Sequence, residues 1–202
     1  MEAKYLTSSQ VARLRAVMSD ADWLLLWVMM ETGLRVGDAV SLKHSQITKK
    51  GIHYRAQKTG KKGLAPISNA LYMALRGDGS AAYIFKGRTD GAHLSRQAAW
   101  KRIKKAAERS GLEKNGVSPH AFRKVFAVET FREKGMQATR EALQHTNRDT
   151  TEIYAFADWN TGDNAKKPLL RSDLKTIVKM VLQSIPNANK GDNGKEKGDK
   201  EA

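Results

Sequence analysis

The sequence predicts a mainly α-helical domain carrying a small antiparallel β-hairpin or sheet, an α+β fold. Three observations predict it. Capped apolar stripes at helical spacing recur before Ser45 and after Ser68. Between those two residues the helical period fails around a Lys- and Gly-rich turn. At 202 residues the chain is long enough for one well-buried core and too short for two full-sized domains.

Thr7-Ser8-Ser9-Gln10 has the form of a capping box, and Val11, Leu14 and Val17 then mark one face of a first helix. A second helix, Asp22 to Thr32, is apolar nearly all round and belongs at the centre of the core; Gly33 stops it. A short helix runs from Val36 to Leu42. Ile52, Tyr54 and Ala56, then Leu64, Ala65 and Ile67, flank Lys58-Thr59-Gly60-Lys61-Lys62-Gly63 and read as a hairpin with a basic tip. Helix resumes from Asn69. Ser95 caps a basic helix reaching Ser110, with Trp100, Ile103 and Ala107 assigned to the core. Pro119 suits the first turn of a helix that stops at Gly135, and shorter helices follow from Gln137 to Gln144 and from Asp149 to about Phe156. The stretch Leu174, Ile177, Val178, Val181, Leu182, Ile185 is amphipathic, giving a last helix over about 172–185.

Residues 1–186 are expected to form one domain and 187–202 a disordered tail, too polar to bury apolar surface. Lys and Arg outnumber Asp and Glu by 36 to 21, for a net charge of +15. In the tail, four Lys balance four acids, so the excess lies in the body and favours a polyanionic partner such as nucleic acid. There is no cysteine, which excludes disulfides and thiolate metal sites and suits the cytoplasm. The longest apolar run, Trp23 to Met30, falls far short of a bilayer span, so no membrane association is expected.

Four separated segments stand out: Thr32-Gly33-Leu34-Arg35-Val36-Gly37-Asp38, Gln57-Lys58-Thr59-Gly60, His120-Ala121-Phe122-Arg123, and Leu143-Gln144-His145 with Ile153-Tyr154. Each alone is common. Together, in this order, they resemble the catalytic domain of the tyrosine recombinase (phage integrase) family over about residues 5–160, including the basic stretch Leu94 to Ile103. That family uses an Arg after a TGLR-type turn, a hairpin Lys, an HxxR helix, an LGH-type His and a Tyr. Tyr154 follows His145 by nine residues, as the family pattern requires. Gln144 departs from it, standing where the family usually has Gly.

Those residue types suit phosphodiester chemistry. A guanidinium offers forked donors and stays protonated at physiological pH, which fits Arg35 and Arg123 as clamps on the non-bridging oxygens. His120, three positions before Arg123, shares its helix face. A phenol, with a reference pKa of about 10, needs a base or an electropositive site to attack. The resemblance implies Tyr154 as nucleophile, His120 as base, Lys58 as acid on the departing 5′ oxygen, and His145 as a donor to the phosphate. Lys61 and Lys62 share the Lys58 turn, but the Lys-Thr-Gly context favours Lys58. Asp38 either braces this site or is an exposed helix-start acid. His44, His53 and His93 are bystanders. With no two-metal carboxylate cluster, Walker A sequence or HExxH, no metal, ATP or other cofactor is expected.

The resemblance implies site-specific strand exchange through a 3′-phosphotyrosyl link and a Holliday junction. Four protomers would act on two double-stranded DNA sites, each a monomer when free, with accessory DNA-bending proteins as further candidates. Arg96, Lys101, Arg102, Lys104 and Lys105 are the expected DNA-binding residues. The chain begins almost at the catalytic part, as a small single-domain recombinase or a piece of a longer one would. The last helix docks on a neighbouring subunit or packs on its own domain. Rival readings are type IB topoisomerase-like relaxation and a DNA-binding regulator. The expected location is the cytoplasm, at the nucleoid.

Overall fold

A computed structural model describes residues 6–76 and 82–143. The expected helices over Asp149–Phe156 and 172–185, the tail, His145 and Tyr154 lie outside these residues. The elements run α1 (Ser8–Val17), α2 (Asp20–Thr32), α3 (Val36–Val40), β1 (Ile47–Thr48), β2 (Gly51–Arg55), β3 (Lys62–Ala65), α4 (Asn69–Leu75), α5 (Arg96–Arg109) and α6 (Pro119–Leu143). The fold is mainly helical with one three-stranded antiparallel sheet in the order β1-β2-β3.

Helix starts follow side-chain capping. Thr7 and Gln10 form the reciprocal box before α1, with the Thr7 amide donating to Gln10 Oε1 at 2.9 Å. Ser19 accepts from the Asp22 amide, so α2 begins two residues ahead of the expected Asp22. Ser68 and Ser95 cap α4 and α5 in the same way.

The core is built around α2, on which Trp23, Leu25, Leu26, Trp27, Val28, Met29 and Met30 are all buried. A helix apolar on every side has to be surrounded, and α3, α4, α5 and α6 pack against it. Trp27 keeps its polar edge satisfied, donating from Nε1 to Glu31 at 2.9 Å. Glu31 also accepts from Ser68 Oγ at 3.2 Å and from the Ser68 amide, tying α2 to the start of α4. Among the described residues no helix is long and apolar enough to cross a membrane.

β2 and β3 pair as the expected hairpin, with Ile52 opposite Ala65 and Arg55 opposite Lys62. The added strand β1 is only two residues long, too short to show a period. α3 ends at Val40 rather than Leu42, capped by Ser41. α6 is interrupted at Gly135 by φ 76° and ψ −178°, a conformation that glycine supplies at little steric cost. The two helices expected on either side of that glycine are therefore joined end to end.

Trp100 corrects the sequence reading. It is 48% exposed, not in the core, and Lys104 Nζ lies 5.8 Å from its ring centroid. The buried face of α5 is Ala99, Ile103, Ala106 and Ala107. Three alanines let the helix lie close to the core, and Trp100, about 100° round from Ala99, falls on the flank. Ile103→Ala should therefore cost about 2–5 kcal/mol of unfolding free energy in denaturant titration, whereas Trp100→Ala should change it by less than about 0.5 kcal/mol. A large loss at Trp100 would restore it to the core.

Candidate active site

The segment after α2 turns sharply because Gly33 takes φ 66°. Thr32 Oγ1 donates back to Val28 O at 2.6 Å and accepts from the Leu34 amide at 3.2 Å, holding the turn. Leu34 is buried as an anchor, and Arg35, half-buried, stands at the start of α3. A Cβ on Gly33 would meet Phe126 at 2.3 Å, so the turn and α6 approach as closely as they do only with glycine there.

From α6, Arg123 reaches the same turn. Its side chain is buried, with Nη1 donating to Gly33 O and Nη2 donating to Leu143 O at 2.7 Å. Arg35 and Arg123 line one cleft together with Asp38, Tyr54, Ala56 and Leu143. His120, one turn earlier on α6, is exposed. Its imidazole pKa is lowered first by desolvation, then by the charges of Arg123, Lys124 and Arg35. Arg35, His120 and Arg123 therefore share one electropositive neighbourhood, although 88 positions separate the two arginines in the chain (123 − 35).

Lys58 sits exposed at the hairpin tip. The tip is closed by the Ala56 amide donating to Lys61 O at 2.9 Å and the Gly60 amide to Ala56 O at 2.7 Å. Asp38 is 6% exposed, and its Oδ1 accepts from the Gln57 amide at 2.9 Å. Asp38 is therefore not an exposed helix-start acid; its carboxylate ties α3 to the hairpin. Lys62 lies on β3, while Lys58 directly follows the Gln57 that bonds Asp38.

His44, His53 and His93 do not line the cleft. His93 packs edge-on to Tyr83 with ring centroids 5.2 Å apart, and its Nδ1 lies 2.8 Å from Leu94 O. On α5, Arg96, Lys101 and Lys105 are exposed and Lys104 is half-buried beside Trp100. Arg102 pairs with Asp22 at 3.0 Å, which turns its charge toward α2. Lys101, Lys104 and Lys105 lie on the exposed side of the helix, while Arg96, seven residues before Ile103, sits in its first turn with its stem beside Gly37. The sequence reading named Gln57 without its contacts, whose partners are distant in the chain, and assigned the exposed Trp100 to the core.

The lowered pKa fixes a sign. The folded chain binds fewer protons at His120 than the unfolded chain does just below the ordinary histidine value of about 6.5, so this group's contribution to stability falls as pH drops through that window. An NMR titration should place the His120 midpoint below that ordinary value, and Arg35→Ala should raise it. A midpoint at or above the ordinary value would contradict the shared cationic neighbourhood.

Among curated proteins, the chain is similar to tyrosine recombinase XerD of Mycobacterium tuberculosis H37Rv, with 34% identity over 151 residues, 65% of this chain and 46% of that protein. It thus spans about half the length of such relatives. Among solved structures, it resembles the catalytic domain of bacteriophage HP1 integrase, with a TM-score of 0.59 and 23% identity over 92% of this chain and 99% of that one. It also resembles a lambda integrase tetramer bound to a Holliday junction, with a TM-score of 0.61 and 19% identity over 73% of this chain and 48% of that one. These likenesses show a shared fold. A match to the phage integrase family over residues 4–160 takes in the Gly33 turn, the hairpin and α6 together, and the chain belongs to that family, the tyrosine recombinases.

Proposed function

We propose that this chain is the catalytic part of a site-specific DNA recombinase, a metal- and ATP-independent strand transferase. The observation that carries the proposal is the cleft shared by Arg35 and Arg123, whose charges both bear on His120. The held guanidinium of Arg123 and the half-buried Arg35 beside it suit a phosphodiester whose non-bridging oxygens gain charge during attack. A histidine kept neutral near pH 7 suits a proton acceptor.

In this reading the Tyr154 phenol oxygen bonds to the scissile phosphorus, its proton passing to His120. The bond from phosphorus to the 5′ oxygen breaks, and Lys58 delivers a proton to that oxygen. His145 donates a hydrogen bond to the phosphate. The products are a 3′-phosphotyrosyl ester and a 5′ hydroxyl. Attack by a 5′ hydroxyl from either duplex reverses the step without an external energy source, because the ester conserves the phosphodiester.

Double-stranded DNA is the proposed substrate. Arg96, Lys101, Lys104 and Lys105 offer charge to its backbone, with Trp100 between them as an apolar contact; Arg102, paired with Asp22, offers less. The proposed assembly is a homo-tetramer on two sites, like the lambda integrase tetramer, formed from free monomers with DNA-bending proteins assisting. Residues 1–186 would form the catalytic domain, the helix over 172–185 docking on it or on a neighbour, and 187–202 a tail. The cytoplasm, at the nucleoid, is the compartment that fits.

Tyr154→Phe should abolish covalent capture of a nicked suicide DNA substrate on a denaturing gel while leaving DNA binding in place. Arg35→Ala should slow cleavage by at least about 10²- to 10³-fold, as loss of one transition-state donor does. Undiminished capture by Tyr154→Phe would remove the tyrosine from the reaction.

A further inference from the structure

Hairpin tips are the least constrained parts of a sheet, and this one carries a residue whose task demands position. Lys58 is exposed on a flexible four-carbon stem, and β2 ends at Arg55 and β3 begins at Lys62, on either side of the tip. The residue before it is bonded twice to α3 and once to the Ser41 that caps it. The Gln57 amide donates to Asp38 Oδ1 at 2.9 Å, and Gln57 Nε2 donates to Gly37 O at 3.1 Å and to Ser41 Oγ at 3.0 Å. A Cβ on Gly37 would lie 3.2 Å from Gln57 Oε1 and 3.0 Å from Arg96 Cδ, so the glycine lets the hairpin and α5 close on α3.

We propose that the Gln57 side chain is a latch that holds the hairpin tip against α3 and so positions Lys58 over the cleft, a positioning residue for the acid step. The inference rests on the reading of Lys58 as the general acid. The bond to Asp38 uses backbone and survives any non-proline residue at 57. The two Nε2 bonds are specific to the amide, and they join the segment carrying Lys58 to α3 and its cap Ser41, the helix that Arg35 immediately precedes. Without them the tip swings about the Asp38 contact. Lys58 then samples positions away from the 5′ oxygen, and misplacement by about 1 Å can cost about 10²-fold in rate. Gln57 is itself exposed, so its truncation leaves the core intact.

The test is single-turnover cleavage of two DNA substrates by the full chain and by Lys58→Ala, Gln57→Ala and Gln57→Glu. One substrate is the ordinary phosphodiester; in the other, sulfur replaces the bridging 5′ oxygen, so the leaving thiolate needs no proton. Lys58→Ala should be slow on oxygen and near wild type on sulfur. Both Gln57 variants should be about 10- to 10²-fold slow on oxygen and restored on sulfur, and Gln57→Ala should add nothing to Lys58→Ala. Rescue of Lys58→Ala without rescue of the Gln57 variants overturns the latch alone, as does a wild-type rate for Gln57→Ala on oxygen. Failure of sulfur to rescue Lys58→Ala removes the acid role itself and the latch with it.

Discussion

The buried guanidinium of Arg123 is the contact on which the site depends. Burying a charge costs several kcal/mol unless polar partners replace water. Here two backbone carbonyls help to do so, those of Gly33 at the end of α2 and Leu143 at the end of α6. Charge-assisted bonds of this kind are worth roughly 1.5–3 kcal/mol each. One side chain thereby sets the turn that presents Arg35 against the end of the helix that presents His120.

This arrangement also explains the electrostatics. Desolvation first, and then the positive charge of Arg123, Lys124 and Arg35, makes His120 lose its proton more readily. The same field favours an anion in the cleft. A bound phosphodiester would offset the cations and draw the imidazole pKa back up, so occupancy and proton affinity are linked. In the proposed reaction, His120 would then be neutral as DNA arrives and better able to hold a proton once it is bound.

What the sequence revealed follows the range of the interactions. Thr7, Ser95, Gly33 and Gly135 act within four residues of themselves, and the helix ends they mark were legible. The proximity of Arg35, His120 and Arg123 was legible through ordered motifs, whose spacing survives without knowledge of the fold. Trp100 was misplaced because a bulky apolar residue near a buried stripe reads as core, whereas the stripe of small alanines beside it took that role. The Gln57 contacts with Gly37, Asp38 and Ser41 bridge 16 to 20 residues between a hairpin and a helix, and no local pattern encodes them. β1 escaped notice because two residues carry no period.

The central claim, that Arg123 binds the carbonyls ending α2 and α6 at once, is tested most directly by NMR of its guanidinium in the free protein. Hindered rotation, slowly exchanging Nη protons and couplings across hydrogen bonds to the Gly33 and Leu143 carbonyl carbons are the expected result. A single averaged, rapidly exchanging signal would contradict it, and the two helix ends would need another link.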